Sequence, residues 1–382
     1  MWKRSQSKPV RVRSRKADLA LLISSILFSL VILEVGVRLL LPPPDQIKMK
    51  VFDAEIGKTL RPGYEGSHVG VEVKFNSHGL RSPEIPLEKP DDTYRILVLG
   101  DSWTFGVGVP QDKTYPAQLE LLLREQNPDR KIEVINAGVS GYETYNEAVY
   151  FGRSGHKFEP DLVIIGFYPV NDLHDKKSKY ERHARERAAH PTWYFIRTFP
   201  KTHLRSYQYY GYLRSDLKRS YRTWRQGRID FNAGPEELDN SYDVEWTLLY
   251  RDDFQGWITA KESLASIVEI ADKTNCPVVL AVFPDLRELK HYRTSLQGRF
   301  YPKLEKTAVG LGIKVLDMAP SLYPYEGKEG QIALGDTKGS THPNIRGHRL
   351  LAEYLAQHLD EMAVSGGTSV GSGMEVAPLS ER

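Results

Sequence analysis

Four short stretches of this chain carry residue types that could perform acyl-transfer chemistry. In Arg95–Gly106 (RILVLGDSWTFG), an apolar run ends abruptly in Gly100-Asp101-Ser102, and a helix-like segment follows. That arrangement sets the Ser102 hydroxyl at the carboxyl end of a buried strand, beside the first unbonded N–H groups of a helix. A serine hydroxyl is a weak nucleophile and needs an adjacent base. His342, in Ser340-Thr341-His342-Pro343-Asn344, offers one: it precedes a closing helix, and Pro343 stiffens its turn. Gly141, in Asn136-Ala137-Gly138-Val139-Ser140-Gly141, can bring a backbone N–H close to a developing oxyanion. Asn171, after the run Asp161–Phe167, can add an amide donor to the same oxygen. Each stretch also has a plain structural reading. Asp101 or Ser102 can cap a helix, Gly141 can serve a tight turn, Asn171 can end a strand in an Asx-turn, and His348 reads as a helix residue.

The elements that must position these residues follow from hydrophobic periodicity. Runs 95–99, 131–136, 161–167, 277–283 and 313–317 read as strands. Segments 115–126, 143–152, 257–274, 302–311 and 344–359 read as helices. Strands alternating with helices predict a parallel sheet covered on both faces, with ligands beyond the carboxyl ends of the strands. All four chemistry-bearing stretches fall at that edge.

Taken in order, the four blocks resemble those of the SGNH (GDSL-like) hydrolase family over about residues 94–362. The resemblance implies a three-layer α/β/α fold with a five-stranded, mainly parallel flavodoxin-like sheet. It also implies roles: Ser102 as nucleophile, His342 as base, and an oxyanion hole built from the Ser102 and Gly141 N–H groups and the Asn171 amide. Two positions depart from the family pattern. Pro169 stands where block three usually has glycine, and Gly339 stands where an acid usually precedes the histidine by three residues. Asp336, six residues before His342, is the favoured replacement acid; Asp317 and a Ser–His dyad are the alternatives.

Location is written at the amino terminus. Residues 1–16 hold seven Lys/Arg and no acid, and the apolar stretch 19–41 follows, interrupted by Glu34 and Arg38. As a helix, 19–41 would extend about 34 Å, enough to cross a bilayer. The pattern predicts a basic cytoplasmic tail (1–18), a transmembrane signal anchor (19–41) and an extracytoplasmic remainder; a cleaved signal peptide is the rival. Residues 42–93 read as a β-rich stem, 94–362 as the hydrolase-like domain, and 363–382 as a flexible tail. An insertion at 173–256 is basic and aromatic: His174–Asp230 carries fifteen Lys/Arg against five Asp/Glu. It reads either as a lid touching membrane headgroups or an anionic polymer, or as a helical cap with its aromatics packed inward.

A net charge of +3 with a local basic excess gives no expectation of nucleic-acid binding. One cysteine, Cys276, excludes an intrachain disulfide, and no Cys/His spacing predicts a metal or a cofactor. The expected function is an acyl esterase working through an acyl-serine intermediate on O-acyl groups of envelope or extracellular glycans, or on lipid esters. An O-acetyltransferase of a surface polysaccharide and a catalytically degraded glycan-binding module are the alternatives.

Overall fold

The computed structural model describes residues 15–41, 48–53, 55–173, 175–211, 213–214, 217, 251–334 and 342–363. They divide into two compact units, one within 48–185 and 233–382, the other within 1–47 and 186–232.

The larger unit is built on five parallel strands: β5 (Thr93–Gly100), β6 (Lys131–Asn136), β7 (Leu162–Phe167), β8 (Val278–Val282) and β9 (Lys314–Asp317), in the order β6-β5-β7-β8-β9. This is the doubly wound flavodoxin-like order, all parallel, with β5 and β7 side by side (Leu99 opposite Ile165, Gly100 opposite Gly166). Burial on both faces explains why β7 reads as an unbroken apolar run. Alternate residues feed separate cores. Leu97, Leu99, Val163, Ile165, Leu280 and Val282 meet Phe151, Trp257, Leu264 and Phe300 on one side. Those side chains come from helices α4 (Thr144–Arg153), α8 (Gln255–Asp272) and α9 (Leu296–Gly310). Ile96, Val98, Val134, Ile164 and Val279 meet Leu119, Leu123, Leu351 and Leu355 on the other. These belong to α3 (Tyr115–Gln126) and α10 (Ile345–Ala363). At about 1.5–3 kcal/mol per fully buried large side chain, these two layers are the main source of stability.

Helix starts follow local chemistry. Pro116 in the first turn of α3 has no N–H to leave unpaired. α9 begins at Leu296, six residues ahead of the expected start at Pro302, because Ser295 caps it by accepting from the Gly298 N–H (3.1 Å). Pro302 therefore lies inside the helix, where it has no N–H to donate to the Gly298 carbonyl four residues back.

Before the sheet come two antiparallel hairpins, β1 (Lys50–Asp53) with β2 (Gly57–Leu60) and β3 (Glu65–His68) with β4 (Val71–Lys74). Their apolar residues Met49, Ile56, Leu60, Val73 and Phe75 share a third core with Phe105, Val139 and Tyr142. Two short helices, α2 (Ser102–Phe105) and α5 (Pro169–Asp172), follow β5 and β7 directly. The helix α6 (Lys176–Ala189) was not anticipated from periodicity.

The smaller unit contains α1 (Arg15–Leu40) and α7 (Pro191–His203). α1 is long and apolar enough to cross a membrane, with a mean hydropathy of 2.4 over its best window and no buried residue. Trp193, Phe195 and Phe199 of α7 are exposed, not packed inward.

Candidate active site

The turn from β5 into α2 carries the first group. Gly100 is required there, because a Cβ would collide with the Thr104 hydroxyl and lie 3.1 Å from the Gly166 carbonyl. Asp101 is fully buried and caps α2 through Oδ1, which accepts from the Trp103 N–H at 2.8 Å. The structural reading of Asp101 as a cap is thus correct for one oxygen. Its Oδ2 accepts a short hydrogen bond from the Asn171 amide. Asp101 is therefore also a tie between the first and third blocks, a role the sequence reading missed.

Ser102 Oγ lies 2.9 Å from His342 Nε2 and 3.5 Å from Asp101 Oδ2. The first is a full hydrogen bond and the second lies at the limit of O–H···O range, so the imidazole is the closer partner of the hydroxyl. The 240-residue gap between these partners closes because His342 is pinned from both sides. Its carbonyl accepts from Leu334 N–H (2.9 Å), and the Asn344 N–H donates to Ile332 O (2.7 Å). The Asn344 amide then donates to Gln331 O and Ala333 O and accepts from the Gly347 N–H, which starts α10. Burial lowers the His342 pKa from its ordinary value, favouring the neutral imidazole that can accept a proton.

Gly141 lies in the loop after β6 with φ +86°, the left-handed region that glycine enters without strain, and a Cβ there would face open space. That loop runs along the Ser102 turn: Ala137 N–H donates to Val98 O (2.9 Å) and Val139 N–H to Gly100 O (3.0 Å). Asn136 clamps the two together, donating to Thr104 O (2.8 Å) while accepting from Gly138 N–H (3.0 Å). Gly138 admits no side chain, since a Cβ would meet the backbone of Thr104 and Phe105.

Asn171 is half-buried on α5 with its amide turned to Asp101, and its neighbour Asp172 is buried. Asp172 accepts from Tyr168 N–H (2.6 Å) and the Thr144 hydroxyl (3.2 Å). Burial, with Asp101 and Glu143 adding negative charge nearby, pushes its pKa well above the usual carboxylate range. Asp172 thereby joins α5 to α4. Asp336, the favoured acid, lies outside the described residues, as do Gly339, Ser340 and Thr341. Asp317 closes β9, its Oδ1 accepting from the Ala319 N–H at 2.9 Å. His348 is a helix residue as read, and it is wholly buried, accepting from the Tyr115 N–H through Nδ1 (3.1 Å).

Two cations from the hairpin region support the site and left no sequence signal. Arg81, buried, donates to the carbonyls of Phe105 (2.7 Å), Gly106 (2.6 Å) and Val109 (2.6 Å), gripping the loop that follows Ser102. Lys50 donates to the Ser140 carbonyl (2.6 Å), next to Gly141. Among the described residues, no group of three or more His, Cys, Asp or Glu is arranged to hold a metal ion.

Residues 98–350 match the model of the GDSL-like lipase/acylhydrolase family. An arylesterase of Vibrio mimicus is 37% identical over 71 residues, a stretch covering 19% of this chain and 34% of that protein. Among solved structures, a two-domain esterase active on acetylated mannans has a TM-score of 0.41 at 16% identity, covering 75% of this chain and 53% of its own. An acetylxylan esterase of Geobacillus stearothermophilus has a TM-score of 0.40 at 15% identity, covering 70% and 94%. The chain thus spans about a third of that arylesterase and about half of the two-domain esterase. With the family model matched across the whole sheet, from within β5 to within α10, the chain belongs to the GDSL-like lipase/acylhydrolase family, a family of ester-bond hydrolases.

Proposed function

We propose that this chain is a serine esterase that removes acyl groups through a covalent acyl-serine intermediate. The observation that carries the reading is the 2.9 Å bond between Ser102 Oγ and His342 Nε2. His342 takes the Ser102 proton as Oγ attacks the acyl carbonyl, giving a tetrahedral intermediate. The Ser102 and Gly141 N–H groups and the Asn171 amide stabilise its oxyanion. Collapse breaks the ester C–O bond, and His342 returns the proton to the departing alcohol. Water, deprotonated by His342, then attacks the acyl-enzyme, and Ser102 leaves with its proton restored. In this reading Asp336 orients His342 and balances the imidazolium that forms in each step. Asp101 keeps the Asn171 amide beside the nucleophile through their shared hydrogen bond.

The chain is placed, in the same proposal, on the membrane by α1, with its basic end in the cytoplasm and the hydrolase on the outer side. The substrates that fit that compartment are O-acyl groups of envelope or extracellular glycans, or lipid esters. Support comes from the seven positive charges ahead of the apolar helix and from the family's acyl chemistry.

Purified full-length protein should hydrolyse p-nitrophenyl acetate and accept a fluorophosphonate label on Ser102. Ser102→Ala should abolish both, and Asp336→Ala should lower turnover with the label site intact. Undiminished hydrolysis by Ser102→Ala would refute the mechanism.

A further inference from the structure

We propose that α7 is an interfacial helix whose aromatic face beds in the headgroup layer of the bilayer that α1 crosses; this rests on the reading of α1 as a membrane span. Depth is set by hydrogen bonds within the smaller unit. The Glu34 carboxylate accepts from the Arg205 N–H (2.9 Å), the Ser206 N–H (3.0 Å) and the Ser206 hydroxyl (2.8 Å). Arg38 pairs with Glu34 at 2.6 Å and donates to the His203 carbonyl, also at 2.6 Å. Arg205 reaches the Leu41 carbonyl at 3.3 Å. All these partners lie between positions 34 and 41. At about 1.5 Å per residue that is the last 10 Å or so of the span, where hydrocarbon gives way to headgroups. The carboxyl end of α7 is held at that level.

The composition of α7 suits that depth. Trp193, Phe195, Ile196 and Phe199 are 65%, 55%, 56% and 36% exposed. At 100° per residue they fall, with Pro200, within one arc of about 160°, while Arg197, Lys201 and Thr198 occupy the other side. Phe195 and Phe199 are 5.4 Å apart ring to ring, and His203 stacks on Phe199 at 4.5 Å, so the face is a continuous aromatic surface. Exposed aromatics opposite cations, at the end of an apolar span, are the pattern that seats a helix in the interface plane. Tyr207 and Tyr210, also exposed, continue it past the bend at Leu204, and Lys201 and Arg214 are exposed beside it for lipid phosphates. Glu34 fits the same account. Inside the span an unpaired carboxylate would be costly, whereas here its oxygens are taken up by Arg38, Arg205 and Ser206.

The test uses the full chain in nanodiscs of phosphatidylcholine with about one part in three phosphatidylglycerol, which supplies the anionic headgroups that Lys201 and Arg214 would meet. Cys276→Ser supplies a cysteine-free background, and nitroxide labels are placed singly at Phe195→Cys, Phe199→Cys, Thr198→Cys and Val31→Cys. Retained esterase activity shows that each variant is folded. Labels at 195 and 199 should lose collisions with a water-soluble nickel complex and gain them with oxygen, with depths shallower than the label at 31. The label at 198 should keep its nickel collisions. Nickel access at 195 equal to that at 198, with position 31 deep in the bilayer, overturns the interfacial helix and leaves the span intact. Shielding of 195 from both reagents overturns it in favour of a protein cover. Nickel access at 31 overturns the span itself, and this inference with it.

Discussion

His348 couples folding to pH, and the size of the coupling can be worked from its surroundings. The ring is wholly buried in α10 against Tyr115, and its Nδ1 accepts from the Tyr115 N–H at 3.1 Å, which requires that nitrogen to be unprotonated. Burial, with smaller contributions from the Arg81 cation and from coupling to the His342 ring, depresses its pKa to about 3. In the unfolded chain the imidazole titrates near its ordinary value of 6.5. As the pH falls, the unfolded state therefore takes up a proton first. The contribution to stability is full above pH 6.5 and is lost progressively down to about pH 3. Between pH 7 and pH 4 the two pKa values differ enough to cost roughly 3 kcal/mol, at about 1.36 kcal/mol per pH unit in that window. The perturbation is His348→Asn, whose Oδ1 can still accept from Tyr115 while carrying no titrating group. Urea unfolding, followed by the buried Trp103 and Trp257, gives stability for both proteins at pH 7, 6, 5 and 4. The variant should start less stable, because it leaves a void, and the gap should then close or reverse by roughly 3 kcal/mol toward pH 4. A gap that stays constant across this range would refute the reasoning.

Three further outcomes follow from the site. The acidic limb of kcat/KM should fall below pH 6.5, because burial lowers the His342 pKa and only the neutral ring accepts the Ser102 proton; a limb at or above 6.5 would contradict this. Asn171→Ala should reduce kcat by roughly 10²–10³ with little change in KM, as expected for a donor used chiefly in the transition state; steady-state kinetics on p-nitrophenyl acetate would show it. Gly138→Ala should destabilise the protein by about 2–3 kcal/mol, read as a lower thermal midpoint, since its Cβ would press on backbone atoms of Thr104 (2.6 Å to the carbonyl carbon) that cannot swing aside.

Much of the scaffold was legible because periodicity is a local property. α3 and β6 were read with their observed bounds, and the other sheet strands to within about two residues, since each buries both faces or alternates cleanly. Ser102, Gly141, Asn171 and His342 could be placed at strand ends for the same reason. The start of α9 was misplaced because proline usually marks a first turn, and Ser295 supplied the real cap. α6 and α7 were hidden within a basic, aromatic composition that admits several structures. The supporting grip of Arg81, Lys50 and Asn136 was illegible for a different reason. Each bonds backbone carbonyls 24 to 90 residues away, and a carbonyl has no residue identity to recognise.

By itself, then, the amino-acid order determined the five-strand alternation, the long apolar helix and the residue types that follow the strand ends, since those depend on side chains near in sequence. Tertiary structure alone decided that Ser102 and His342 bond at 2.9 Å, that Asp101 holds Asn171, and that Glu34 receives the Arg205 and Ser206 amides. Such pairings depend on loop closure over tens to hundreds of residues, which the packed sheet and its flanking helices select, and which no local pattern records.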